Sequence, residues 1–215
     1  MAEVRGEPRW PMTLAVVSVI VLTSVLPDRL SALPTWVFPT VLTILLLALI
    51  ATDPGAITKT SRALRWLSIA LVVVMAVSAL SATTRLIRDL VEGSPITANA
   101  TTLLATGASV WVINIVAFAL LYWEFDCGGP AARAHGMAPH PDLAFPQQLE
   151  PDVAPPGWRP QFVDYLYVGI TDAVAFSPTD AMPLAPWAKL AMAIEAVISL
   201  VILGLVIARA VNVFT

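Results

Sequence analysis

Four side chains near the C-terminal end of this sequence could act on a cation or a proton. Asp172 and Asp180 belong to the stretch "TDAVAFSPTDAMPLAPWAKL", and Glu195 and Ser199 follow it inside a long apolar run. Glu195 and Ser199 are four residues apart, so a helix would place them on one face. A carboxylate at membrane depth supplies negative potential to a cation, carries a proton, or pairs with another group of the chain. Asp172, Glu195 and Ser199 are therefore candidate lumen-facing polar residues. Asp172 and Asp180 would charge the mouth of a pathway, because acidic rings attract cations.

Other polar residues carry weaker signals. Asn114 sits near the middle of another apolar run, where an amide cross-links helices by hydrogen bonds. In "YWEFDCGGP", Glu124 and Asp126 are two apart and do not share a helix face, so the pair is a poor metal or acid–base site. Gly128, Gly129 and Pro130 should stop the helix there, with both carboxylates at the interface. His135, His140 and Asp142 fall in one loop without the regular geometry that a metal site needs. Cys127 is the sole cysteine, which excludes an internal disulfide. P-loop, GxGxxG, HExxH, CxxC and GxSxG patterns do not occur, so neither an enzyme, a cofactor nor a metal is expected. The net charge of −3 and the lack of a basic run argue against nucleic acid.

The elements that must position these residues follow from composition. The 215 residues are 58% hydrophobic and 13% charged, with mean hydropathy +0.79. A soluble domain carries roughly 25% charged residues, so this chain lacks the polar surface to face water. The expected fold is all-α, an integral membrane helical bundle of five transmembrane helices plus one short re-entrant helix. The spans run about 10–26, 35–51, 64–84, 98–123 and 186–213, the first two near the lower length limit. Arg5 and Arg9 precede the first span, but no small-x-small cleavage site follows it, so an uncleaved anchor is expected. Tryptophans 10, 36, 66, 123 and 187 lie near span ends, as an interfacial aromatic belt requires. Residues 1–126 form a four-helix membrane region. Residues 127–160 form a loop holding eight of the eighteen prolines. It should be extended and interfacial, with Phe145 and Trp158 dipping toward the head groups. Residues 161–215 carry the rest. The helix near 161–175 is about 20 Å long, too short to cross, so it must turn back or lie flat.

Short helix, polar turn and full span make the layout of a pore loop, and here the residues carry a resemblance. "DYLYVGITDAVAFSPTDAMPLAPWAKL" resembles the pore helix, filter and inner-helix start of two-helix potassium channels. The channel signature Thr-Val-Gly-Tyr-Gly-Asp falls without a gap on Ala175, Phe176, Ser177, Pro178, Thr179 and Asp180. The family's proline and tryptophan fall on Pro183 and Trp187, and a basic residue on Lys189. The resemblance covers about the last quarter of the chain. It implies a channel-like protein with a degenerate filter, a weakly selective pathway for monovalent cations, and four chains around an axis. A potassium filter needs glycines to aim its carbonyls, and Pro178 is locked near φ −65°, so selectivity by a carbonyl ladder is excluded. The whole chain also resembles a group of uncharacterised bacterial integral membrane proteins with "YWEFDCGGP", "DYLY", "FSPTD" and "ARAVN" stretches. That resemblance implies an inner-membrane location and no activity.

Alternatives stay open. Ser177, Pro178 and Asp180 could be an N-cap, a first helical residue and a capping-box partner, and the protein a non-conducting structural or accessory one. Small residues on the last span (Ala188, Ala191, Ala193, Ala196, Ser199, Gly204) would allow close approach in a homo-oligomer, while the proline-rich loop could instead fold back and cover the turn within one chain. With the N-terminus inside, eight Lys and Arg residues face the cytoplasm against four outside, which favours that orientation. Lipid is the expected surrounding partner.

Overall fold

The computed structural model describes residues 6–94, 98–138, 140–175, 177 and 180–214. The chain is helical almost throughout. Five helices carry the bundle: α1 (Trp10–Val25), α2 (Val37–Thr52), α3 (Arg62–Glu92), α4 (Ala100–Phe125) and α8 (Pro186–Phe214). Between α4 and α8 lie two short helical turns, α5 (Pro130–Ala134) and α6 (Pro146–Leu149), and the 14-residue α7 (Phe162–Ala175). Three helices, α3, α4 and α8, are long and apolar enough to cross a membrane. At 16 residues each, α1 and α2 are about 24 Å long and fall short of that length.

Turn chemistry sets the helix ends. Pro27 follows the end of α1, and the chain passes through a 3-10 turn at Asp28–Leu30 into α2. Asn99 caps α4, its Oδ1 accepting the Thr102 amide at 3.1 Å. Gly93, at φ 79°, ends α3 where a side chain would be strained.

Burial is inverted relative to a water-soluble bundle. Val73, Val77 and Leu80 on α3, and Leu190, Ile194 and Val197 on α8, all point outward, whereas Glu195 and Ser199 point inward at 0% exposure. In water the outer faces would form a large apolar patch; in lipid they match the solvent. These features are compatible with a multi-pass membrane protein. Helix α4 is the centre: 61% of its apolar window is buried, against 28% for α3 and α8. Gly107 lets α8 close onto α4, since a Cβ there would lie 2.8 Å from Val206 Cγ2.

One end of the bundle is stitched by two antiparallel bridges. Strand β1 (Glu7–Pro8) pairs with β2 (Ala56–Ile57), and β3 (Leu143–Ala144) pairs with β4 (Met182–Pro183). Several expectations change here. The proline-rich segment folds back over the bundle instead of lying out along the interface, and Phe145 is in the core, edge-on to Tyr165 at 5.3 Å. Trp123 is also internal, its Nε1 donating to Glu7 at 2.8 Å, whereas Trp10, Trp36 and Trp66 are exposed as a belt would have them. The proline that opens α8 is Pro186. Ser177 is exposed and Asp180 half-buried, while Phe176, Pro178 and Thr179 lie outside the described residues.

Candidate functional site

Helix α7 is the element that makes the site. It runs antiparallel to the end of α4: Phe162 stands edge-on to Trp123 at 5.9 Å, and seven residues on, Gly169 faces the Ile115 carbonyl and Ala119. The chain then comes back. Asp180 lies close enough to Asp164 in the first turn of α7 to act on its charge, and Trp187 at the start of α8 packs 5.9 Å from Phe125. Residues 162–187 thus enter and leave at the same end of α4. The return limb is held there by β3, and by the Asp142 carbonyl, which accepts the Leu184 and Ala185 amides at 2.8 and 3.2 Å.

Gly169 allows this approach. A Cβ at that position would lie 3.3 Å from both Glu195 Oε1 and the Ile115 oxygen, tighter than an ordinary contact, so a side chain there would crowd α7 against α4 and α8. With α7 seated, its apolar stripe of Phe162, Tyr165 and Val168 fills the core, and Asp172, one turn further, is carried inward at 1% exposure. Asp172 and Glu195 are brought close enough for each carboxyl to act on the other. Tyr122 of α4 donates its hydroxyl to Glu195 Oε2 at 2.5 Å.

The pairing leaves needs unmet. Asp172 Oδ2 and Glu195 Oε1 are buried with no hydrogen-bond partner among the described residues. Two ionised carboxylates cannot hydrogen-bond each other; a single proton held between them would allow the bond. Ser199 Oγ and Asn114 Nδ2 are also buried without partners among the described residues, one turn beyond Glu195 on α8 and two turns before Tyr122 on α4. An orphan polar atom of this kind costs about 1–3 kcal/mol, and a run of them marks a place for water, an ion or a proton. The arrangement can hold a proton between two carboxyls, or replace it with a small cation.

Of the sequence candidates, Asp172, Glu195 and Ser199 are thus brought into one buried region, and Asp180 is not. Those three were expected to face a lumen; in the chain they are enclosed by its own helices and line none of the described cavities. The reason is the apolar outer face of α8, which leaves only its inner face for polar groups. Tyr122 and Gly169 were missed. A tyrosine beside a span-ending tryptophan reads as belt, and a lone glycine in "YVGIT" reads as a weak helix position.

A second acidic cluster caps the same end of α4. Asp126, at 0% exposure, accepts the Asp142 and Leu143 amides through Oδ1 at 2.9 and 3.1 Å, and the Tyr165 hydroxyl through Oδ2 at 2.5 Å. Arg133 donates to the Trp123 and Asp126 carbonyls and lies 4.9 Å over the Tyr165 ring. Glu7 accepts the Phe162 amide and the Trp123 indole, and burial raises its pKa above the ordinary 4.5. Glu124 pairs with Arg65 at 2.6 Å. Glu124 and Asp126, expected at the interface, are both covered because the loop folds over them. Of the loop's candidates, His135 bonds the Thr58 carbonyl and so ties the loop to the α2–α3 connection, while Asp142 accepts the Cys127 amide within the loop. No protein-family model, no curated protein and no solved structure matches this chain, so its own geometry alone bears on what the buried carboxyls do.

Proposed function

We propose that this is a channel-like membrane protein in which protons, or small monovalent cations in their place, pass by way of the Asp172–Glu195 pair inside each chain. In this reading α1 and α2 also cross, by local thinning of the bilayer, giving five spans with α7 as a re-entrant helix. The cationic end faces the cytoplasm, in the bacterial inner membrane that the resemblance implies. The observation that carries the reading is Glu195: a carboxyl with no exposure, held by Tyr122 on one oxygen, with no hydrogen-bond partner on the other among the described residues and Asp172 close by. Ionisable groups so placed serve as proton relays and ion sites. The degenerate potassium-channel turn then serves as a positioning loop that lowers α7 to membrane depth. A homo-oligomer, four-fold in the channel layout, would set such pathways side by side instead of sharing one axis.

One observation favours a second reading. None of the described cavities reaches the pair, as expected of a non-conducting accessory protein in which one shared proton locks α7 to α8. Proteoliposomes separate the two. Under a valinomycin-set potential, an interior pH dye should report proton entry with the wild-type chain. Glu195→Gln and Asp172→Asn, which keep shape and hydrogen bonding, should reduce it to the level of empty liposomes while the unfolding midpoint stays near wild type. Wild-type vesicles that carry neither H⁺, Na⁺ nor K⁺ would reject the pathway and leave the locking role.

A further inference from the structure

At the cationic end of the bundle, a cavity of about 560 Å³ lies between the β2 turn, the first turns of α3 and the end of α4. Its volume is within the ~300–1,000 Å³ of small-ligand pockets. Four cations line it, Arg9, Lys59, Arg62 and Arg65, against two carboxylates, Asp53 and Glu124. The carboxylates are already taken: Arg9 binds Asp53 at 3.1 Å, and Arg65 binds Glu124 at 2.6 Å. Lys59 stands 3.8 Å from Asp53 with its side chain 57% exposed, and no ion pair of Arg62 occurs among the described residues. The lining therefore carries two positive charges more than it neutralises.

The rest of the wall is apolar, with Leu64, Trp66 and Ile69 of α3 facing Leu49 of α2. Trp66 is 69% exposed at its edge, an indole placed as at a membrane interface. Ser61 leaves the first-turn amides of α3 without a side-chain cap, so the positive end of a 31-residue helix adds to the field there. An inorganic anion would use the charges and waste the apolar wall. A neutral lipid would use the wall and leave the charges unmatched.

We infer that this cavity binds an anionic phospholipid, its phosphate between Lys59, Arg62 and the α3 N-terminus and the upper part of an acyl chain along Leu64, Trp66 and Ile69. The inference does not depend on the carboxyl pair. Juxtamembrane cations each contribute about fivefold to the affinity for an acidic lipid surface.

Native mass spectrometry of the full chain in detergent, titrated with phosphatidylglycerol or phosphatidylcholine, tests it. Phosphatidylglycerol should bind as a single preferred adduct, at least about fivefold more tightly than phosphatidylcholine. Arg62→Gln should weaken it about fivefold, and Lys59→Gln with Arg62→Gln about 25-fold. Arg85→Gln with Arg88→Gln, at the far end of α3, should leave it unchanged. Equal affinity for the two lipids would overturn the assignment. So would an equal loss in the far-end variant, or displacement of the lipid by equimolar inorganic phosphate, which would show an anion site only. Arg62 is exposed and has no ion pair among the described residues, so its single substitution keeps the test valid if the double variant folds poorly.

Discussion

Asp126 and Glu195 are both carboxyls at 0% exposure in the same bundle, one just past the end of α4 and one within α8, each taking a tyrosine hydroxyl at 2.5 Å. Their remaining oxygens differ. At Asp126 two backbone amides from the folded-back loop complete the set, and Arg133 holds the adjacent carbonyls. At Glu195 the second oxygen has no hydrogen-bond partner among the described residues, and the nearby charged group is another carboxyl, Asp172. A buried acid whose acceptors are all matched is a fastener, since any change of state costs its bonds. A buried acid that can bond its neighbour only through a proton has two states of similar packing, which is what a relay requires.

Substitutions can break this comparison. The largest effect is expected at Asp126: Asp126→Ala strands the Tyr165 hydroxyl and two amides, and should destabilise the fold by roughly 3 kcal/mol or more, at about 1–3 for each group. Thermal unfolding in detergent measures it, and a loss under about 1 kcal/mol would show that the loop is not fastened there. Gly169→Ala comes next. Its Cβ meets Glu195 and the Ile115 carbonyl at 3.3 Å, so about 1–3 kcal/mol should be lost. Gly204→Ala, in open space on the outer face of α8, should gain up to about 1 kcal/mol from helix propensity.

Glu195→Gln should cost less than about 1 kcal/mol, because an amide keeps an acceptor for Tyr122 and a donor for Asp172. A cost equal to that of Asp126→Ala would erase the distinction between the two carboxyls. The smallest effect is a pH dependence at Glu7. Burial raises its folded pKa above 4.5, so the folded state binds the proton more tightly. Stability is then highest below pH 4.5, falls as pH rises through the folded value, and levels off above it. Subtracting the pH profile of Glu7→Gln from that of the wild type isolates this term, and a difference rising with pH would reverse the assignment.

Legibility in the sequence followed the range of the interaction. Helix α7 was expected at 161–175 and is found at Phe162–Ala175, because length and proline placement are local. Glu195 and Ser199 share a face as i, i+4 spacing requires. The "SPTD" stretch is ambiguous in the sequence, since a capping pattern and a return limb use the same residue types. The limb's direction is set by pairing with β3, some forty residues earlier in the chain.

By itself the sequence determined an all-helical chain with lipid-matched outer faces, a helix too short to cross, and an acid carried inside the last span. These depend on composition, on 1.5 Å per residue and on a 3.6-residue period. Only the tertiary structure decided that Asp172 meets Glu195, that Tyr122 bonds one of the two oxygens, and that Asp126 is fully matched by the loop. Periodicity says which residues share a face, but not which helix that face will meet. Two acids alike in burial and residue type part ways according to whether distant backbone amides reach them.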